Sequence, residues 1–277
     1  VAGALRFAVI GHPVGHSRSP EIHAAFAAQF GIALTYSRLD VAKERFREAV
    51  AIFFSQDGRG LNVTLPHKLD AAQLATTLSA RALRAGAVNT LTASDAGVAG
   101  DNTDGVGLAR DLARLLGAQE RVRAASVLML GAGGAAQGAL AGLHDSGCRQ
   151  LALCARDRIK AEALASRLGV EMTILEWQQA YSGRPFDVVI NATAASVKGA
   201  PLALQPSWFK DARLAYDLGY GQPGAALPPF LAYARSLGVA RGEDGLGMLV
   251  EQAAESFHIW HGQTPDVLPV LAKLKAM

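Results

Sequence analysis

Val127-Leu128-Met129-Leu130-Gly131-Ala132-Gly133-Gly134-Ala135-Ala136 decides the fold of this 277-residue chain. Four apolar residues in a row read as a strand buried on both faces, as in a parallel sheet. The glycines then permit a tight turn from strand into helix and let backbone approach a pyrophosphate. The helix start adds N–H donors and the positive end of a dipole. Gly131, Ala132, Gly133, Gly134 and Ala135 are therefore candidate cofactor-binding positions, with Ala136 where the longer fingerprint places its third small residue. A tight turn without a ligand is the plainer alternative; a strand before the loop and a helix after it favour a nucleotide.

Outward from this loop, short apolar runs at 151–154, 188–190 and 214–216 read as further strands, with helices from the loop to about Ser146 and then through Arg167. Strands with crossover helices imply a parallel sheet covered on both faces. Upstream, residues 7–10 read as a buried strand ended by Gly11 and Pro13. Ser19-Pro20-Glu21 opens a helix in which Ile22, Phe26 and Phe30 recur until Gly31. A helix is expected over 42–54 and a strand over 60–65, where Leu61, Val63 and Leu65 alternate with Asn62 and Thr64. Asp104 precedes an amphipathic helix carrying Leu108, Leu112, Leu115 and Leu116, stopped by Gly117; two more helices are expected over 246–261 and 267–275. The reading is an α/β protein of two domains: an N-terminal α/β domain over 1–104 and a Rossmann-like nucleotide domain over 105–241.

Composition narrows the function. Half the residues are hydrophobic, the net charge is only +3, and the basic residues are scattered, so no nucleic-acid footprint is expected. No run approaches the roughly 20 apolar residues that span a bilayer, and Arg6 interrupts the first apolar stretch with no cleavage region after it. The expectation is a cytoplasmic protein without a membrane partner. Cys148 and Cys154 lack metal-site spacing and read as packing residues. His12, His16, His23 and His67 suggest a metal site, but Pro13 and Gly15 separate His12 from His16 and disfavour helical i, i+4 ligation, so no metal is expected.

The strand after the glycine loop selects the nucleotide. An acid at its end would hold a ribose diol. Here Cys154-Ala155-Arg156-Asp157-Arg158-Ile159-Lys160 puts small residues at that place and three cations after it, which favours a 2′-phosphate, hence NADP. A solvated basic turn is the alternative, and Asp157 could repel a phosphate or partner a ribose hydroxyl.

Two polar segments supply the chemistry: Asn62-Val63-Thr64-Leu65-Pro66-His67-Lys68 and Gly100-Asp101-Asn102-Thr103-Asp104-Gly105. Stability gives little reason to end an apolar strand in this way; a site that holds a hydroxylated ligand and moves a proton does. Lys68 is the candidate proton carrier, as lysines become when burial favours their neutral form, and Asp104 is its candidate partner. Ser17 and Ser19 flank a helix start and could hold a carboxylate. Taken alone, each has a plainer reading: an exposed loop lysine, a capping carboxylate, a capping serine.

Together the motifs resemble shikimate dehydrogenases over nearly the whole chain. The markers are Gly11 to Pro20, Asn62 to Lys68, Gly86-Ala87-Val88-Asn89-Thr90, Asp101 to Gly105, the glycine loop, Asn191-Ala192-Thr193 and Asp244-Gly245-Leu246-Gly247-Met248-Leu249. The resemblance implies NADP-dependent, reversible oxidation of the C3 hydroxyl of shikimate to 3-dehydroshikimate. By motif, Ser17 and Ser19 would hold the substrate carboxylate. Asn62, Thr64, Asn89, Asp104 and Gln252 would hold ring hydroxyls, Lys68 would move the proton, and Tyr220 would face substrate. Gly131 to Ala135, Arg156, Lys160, Leu218 and Gly245 would line the cofactor. The resemblance also implies that C-terminal helices over 242–277 complete the N-terminal domain, with the active site in the cleft between domains, in a monomer or homodimer.

Two positions depart from the family pattern. Ala155-Arg156-Asp157 stands where Asn-Arg-Thr is usual, which keeps the arginine but loosens the expectation of NADP over NAD. Ala194-Ala195-Ser196-Val197 stands where Ser and Gly are more usual. Rival readings are a quinate/shikimate dehydrogenase using NAD, a methylene-tetrahydrofolate dehydrogenase, which the two serines disfavour, and a non-catalytic nucleotide sensor, which needs no Lys68 and Asp104 together.

Overall fold

The computed structural model describes residues 4–177, 182–195, 202–221 and 226–277. Ser196 and Val197 of the second departure lie outside the described residues. The chain divides into two compact units, one of residues 1–107 with 250–276, the other of residues 108–249.

The first unit is built on β1 (Leu5–Gly11), whose last five residues are buried as a central parallel strand requires. It is flanked by β2 (Leu34–Asp40) and β3 (Gly58–Val63), both parallel to it. Helix α1 (Ser19–Phe30) and helix α2 (Phe46–Ser55), the latter entered through a 3-10 turn at Lys43–Arg45, make the crossovers. Short helices α3 (Lys68–Leu74) and α4 (Ala80–Ala85) enclose β4 (Thr77–Leu78). The sheet is mixed rather than parallel throughout. A hairpin of β5 (Thr90–Ser94) and β6 (Gly97–Asp101) extends it, with β5 antiparallel to both of its neighbours, giving the order β2-β1-β3-β5-β6-β4. Its connection is only Asp95-Ala96, and Gly97 takes the positive φ of 114° that closes it. The core is Ala8, Ile10, Phe46, Val50, Phe53, Leu61, Val63 and Leu91. Strand β3 ends at Val63, two residues before the expected limit, and Leu65 is 51% exposed. The Thr64 amide donates the last bond of the β1–β3 ladder, to the Ile10 carbonyl, and Pro66 has no amide proton with which to continue it.

The second unit holds an all-parallel sheet. Helices α5 (Asp104–Leu116) and α6 (Gln119–Ala124) lead to β7 (Ser126–Leu130), which is buried at every position. Helix α7 (Gly134–Asp145), β8 (Gln150–Cys154), α8 (Arg158–Leu168), β9 (Thr173–Leu175), β10 (Val188–Asn191), β11 (Leu214–Asp217), α9 (Pro229–Ser236) and β12 (Gly242–Glu243) follow. The strand order is β12-β11-β10-β7-β8-β9. Counted from β7 this is 3-2-1-4-5-6, the doubly wound order whose ligand crevice lies where the winding reverses, beyond the ends of its first and fourth strands. Leu128, Leu130, Val189, Trp208, Phe209, Ala215 and Phe230 form its core. Cys148 and Cys154 are buried, and burial pushes their thiols up to about 11 and about 12.

Helix α10 (Leu246–His261) and helix α11 (Val267–Lys275) close the chain. Residues from Val250 onward belong to the first unit. Phe257 packs against Phe26 and Phe30 of α1, and the Gln29 amide bonds Asp266 through both its N and its O.

Candidate active site

The first unit gathers its polar side chains at the C-terminal ends of β1 and β3. Lys68 is the first residue of α3, and its carbonyl accepts from the Val88 amide, which ties it to the segment carrying Asn89. Its Nζ donates to Asp104 Oδ2 at 2.6 Å, with side chains 13% and 5% exposed. Asp104 Oδ1 accepts from Asn89 Nδ2 at 2.9 Å, so both carboxylate oxygens are held. Its backbone amide donates to Asn102 Oδ1, whose own amide nitrogen bonds the Ala87 carbonyl. Asn89 also donates to Thr103 Oγ1 and Gln252 Oε1 at 2.9 and 3.1 Å. Asp104 thus orients a lysine ammonium rather than capping its helix, and Lys68 is not a solvated loop residue.

The serines sit together as well. Ser17 and Ser19 are both buried; Ser17 Oγ donates to Ser19 Oγ at 3.1 Å and accepts from the Ser19 amide at 3.3 Å. Ser19 is the first residue of α1, after Arg18 at the cap, and no side chain caps that helix. Arg38 fixes the serine loop by donating Nε and Nη2 to the Ser17 carbonyl at 2.8 and 2.6 Å. Peptide bonds His12–Pro13 and Leu65–Pro66 are cis, and the His12 amide bonds the Leu65 carbonyl, so the serine loop and the lysine segment run side by side.

Asn62 lies deeper. Its Oδ1 accepts from the Tyr36 hydroxyl at 2.6 Å and from His23 Nε2 at 3.1 Å; its Nδ2 donates to Ser256 Oγ at 3.0 Å and the Asn89 carbonyl at 3.3 Å. The amide is satisfied by protein at both ends, so a ligand would have to displace one of these partners. Thr64 is half-buried just past β3. Burial pushes the Tyr36 phenol well up, while a hydrogen bond with Ser19 and the Arg38 charge draw it back.

His23 is fully buried, stacks on Tyr36 at 4.5 Å, and is pushed down to about 3, chiefly by burial, with the His261 charge adding to the shift and the Asn62 hydrogen bond opposing it. Its folded-state pKa lies below the unfolded value of 6.5, so the unfolded chain binds the extra proton between pH 6.5 and about 3. Stability contributed by neutral His23 is complete above pH 6.5 and falls as pH drops through that window. The expected loss at pH 5 is about 2 kcal/mol, at about 1.4 kcal/mol per pH unit. Urea unfolding at pH 5 and pH 7.5 checks this: His23→Gln should flatten the dependence, and an unaltered slope would acquit His23.

In the second unit the glycine loop lies at the point where the strand order reverses. Gly131 has φ 103°, and a Cβ there would stand 3.1 Å from the Ala192 carbonyl oxygen and from Thr193 Cγ2. Gly133 caps α7, and a Cβ there would meet nothing within 4 Å. Packing therefore gives no reason for glycine at 133, whereas close approach of a pyrophosphate to the helix start does. Ala136 is fully buried beneath the loop. The chain just past β11 is equally tight: a Cβ on Gly245 would collide with the Leu218 carbonyl oxygen, and Leu218 donates its amide to the Asn191 carbonyl. Tyr220 is half-buried two residues beyond Leu218. These features fit a dinucleotide.

The basic turn after β8 resolves into separate roles. Asp157 caps α8, accepting from the Lys160 amide at 3.1 Å, and pairs with Lys160 Nζ at 3.3 Å. Arg158 pairs with Glu162 and Glu176. Arg156 is exposed and, among the described residues, makes no ion pair. The acid that could have opposed a phosphate is thereby engaged in capping, while the arginine at the end of the strand stays available. Among the described residues no cluster of His, Cys, Asp or Glu could hold a metal ion.

Family models match three stretches of the chain: the shikimate dehydrogenase substrate binding domain over residues 9–91, shikimate / quinate 5-dehydrogenase over 112–199, and the shikimate 5′-dehydrogenase C-terminal domain over 245–275. Shikimate dehydrogenase (NADP(+)) of Methylobacillus flagellatus is 47% identical over 273 residues, covering 98% of this chain and 99% of that one. The chain belongs to the shikimate dehydrogenase family. Among solved structures, an Ael1 enzyme from Pseudomonas putida is 42% identical with TM-score 0.89, covering 98% of each chain. Shikimate 5-dehydrogenase from Thermus thermophilus, in complex with NADP(H) and shikimate, is 30% identical with TM-score 0.83, covering 98% of this chain and 99% of that one.

Several residues packed into this site escape a reading of the sequence. Tyr36, Arg38 and Ser256 occupy ordinary positions on a strand or helix, and nothing in their spacing marks them. The tight glycine at Gly247 has a local cause: a Cβ there would strike the carboxylate of buried Asp111, which accepts from the Tyr216 hydroxyl at 2.7 Å and pairs with Arg114 at 2.6 Å.

Proposed function

We propose that this member of the shikimate dehydrogenase family catalyses the reversible NADP-dependent oxidation of shikimate to 3-dehydroshikimate, a step toward chorismate and the aromatic amino acids. The observation that carries the chemistry is the Lys68 Nζ to Asp104 Oδ2 contact of 2.6 Å, set beside the amides of Asn89 and Gln252.

NADP⁺, when bound, supplies the hydride acceptor. Lys68 takes the hydroxyl proton on Nζ during oxidation and returns it during reduction. Asp104 holds the lysine and faces the same hydroxyl. Asn89, Gln252, Thr64 and Asn62 offer amide and hydroxyl groups to the other ring hydroxyls, and Tyr220 faces substrate. Ser17 and Ser19 hold the carboxylate. Gly131, Ala132, Gly133, Gly134 and Ala135 would cradle the pyrophosphate, Arg156 and Lys160 the 2′-phosphate, and Leu218 and Gly245 the nicotinamide side. No helix among the described residues is long and apolar enough to cross a membrane; the cytoplasm is the compartment proposed, where the buried free thiols stay reduced.

Nicotinamide absorbance with shikimate or quinate, each against NADP⁺ or NAD⁺, tests the assignment. Turnover confined to shikimate with NADP⁺ supports it. Comparable rates with quinate or NAD⁺ would move it to a broader quinate/shikimate activity, and NADP⁺ binding without turnover in any pairing would make the protein a sensor. Ser17→Ala should raise KM for shikimate roughly 10- to 100-fold, as expected for one hydrogen bond to a charged group, and leave kcat near wild type. An unmoved KM would remove Ser17 from the carboxylate site.

A further inference from the structure

Arg81 of α4 is fixed on three carboxylate oxygens. Its Nε and Nη2 donate to Asp101 Oδ1 and Oδ2 at 2.6 and 3.0 Å, and its Nη1 donates to Glu255 Oε1 at 2.8 Å. The side chains are only 26%, 19% and 13% exposed, and a forked guanidinium between partly buried carboxylates sets orientation as well as distance.

Both ends of this clip lead to the proposed substrate residues. Asp101 Oδ1 also accepts from the Asn102 amide at 2.6 Å, and the Asp101 carbonyl accepts from the Asn89 amide at 3.0 Å. Hydrogen bonds from Arg81 and Ser79 and the Arg81 charge outweigh burial and hold Asp101 below the usual carboxylate range. Glu255 stands on α10 one turn after Gln252, which accepts from Asn89 Nδ2 at 3.1 Å and from Thr103 Oγ1 at 3.3 Å. Ser256 ties the same helix to Asn62 and Thr90. The fork seats the guanidinium on Asp101, and its remaining Nη1 reaches Glu255, so the helix is tied to the same strand end that carries the Asn102 and Asn89 contacts.

We propose that Arg81 and Glu255 are positioning residues that hold the C-terminal helix in the register where Gln252 completes the cluster with Asn89 and Thr103. The proposal rests on Gln252 contacting substrate. A double-mutant cycle tests it. Glu255→Ala cuts the bond from Arg81 to the helix and leaves Arg81 paired with Asp101.

Glu255→Ala should lower kcat/KM for shikimate about tenfold, within the roughly 10²-fold that a 1 Å misplacement can cost. In a Gln252→Ala background the same change should cost less than about twofold, and the KM for NADP⁺ should not move in either. Arg81→Lys, with one ammonium for three oxygens, should reproduce the loss. Equal losses in both backgrounds would overturn the positioning role while leaving Gln252 as a substrate contact. Normal kinetics in Gln252→Ala itself would overturn both.

Discussion

Lys68→Ala lowers kcat for shikimate oxidation by about 10²–10⁴-fold, the range for lost acid–base catalysis, with a much smaller change in KM. The substitution removes the cationic side chain bonded to Asp104, while the serines, Asn89 and Gln252 that would hold the substrate keep their partners. Ground-state binding therefore survives and proton transfer does not. Lys68 begins α3, where alanine is at least as good a helix former, and Asp104, left without its counter-ion, keeps the Asn89 amide; a melting curve of the variant separates any loss of fold from the loss of rate. Steady-state rates with NADP⁺ and shikimate measure it. An unchanged kcat would take Lys68 out of the reaction.

Asp104→Ala should be the second largest change, and it should cost stability as well as rate. It leaves the Lys68 ammonium, only 13% exposed, without its counter-ion, and removes one of the three acceptors around the Asn89 amide. Removing one partner of a buried pair costs roughly 3–5 kcal/mol, and the residual access of Lys68 to water places the expected loss at or below about 3 kcal/mol. The rate should fall by about 10²-fold or more, because the lysine is no longer aimed. The double variant Lys68→Ala/Asp104→Ala separates the two effects. Its kcat should be no lower than that of Lys68→Ala alone, since the pair acts as one unit, and it should be more stable than Asp104→Ala because no charge is stranded. Additive losses in either quantity would mean that the two side chains act independently.

The same residues explain what a reader of the sequence can and cannot see. The run from Val127 to Ala136 carries its meaning locally, since strand, turn and helix start are consecutive, and its sheet has the doubly wound order that such a run implies. Lys68 stands out because a lysine just past an apolar strand has no packing purpose, and Asp104 because it closes a polar run between two glycines; their contact of 2.6 Å brings the two segments together. The β5–β6 hairpin is not visible: its turn is Asp95-Ala96 rather than a glycine pair, and β6 reads Gly-Val-Ala-Gly-Asp, a poor strand by composition. Tyr36 and Ser256 are hidden for another reason. Each meets Asn62, but Tyr36 does so across 26 residues and Ser256 across 194, and each is unremarkable where it stands in the chain. Asp157 is ambiguous in the sequence because a carboxylate after a strand suits either a ribose or a helix cap; its bond to the Lys160 amide gives it the second role.

The central claim is that Lys68, held by Asp104, moves the proton when shikimate is oxidised with NADP⁺. The most direct measurement is a single turnover: shikimate mixed rapidly with NADP⁺-loaded enzyme, wild type and Lys68→Ala, following reduced nicotinamide. The account predicts that the first-turnover rate of the variant falls by about 10²–10⁴-fold while the affinity for shikimate stays within about threefold. Equal first-turnover rates in the two proteins would contradict it.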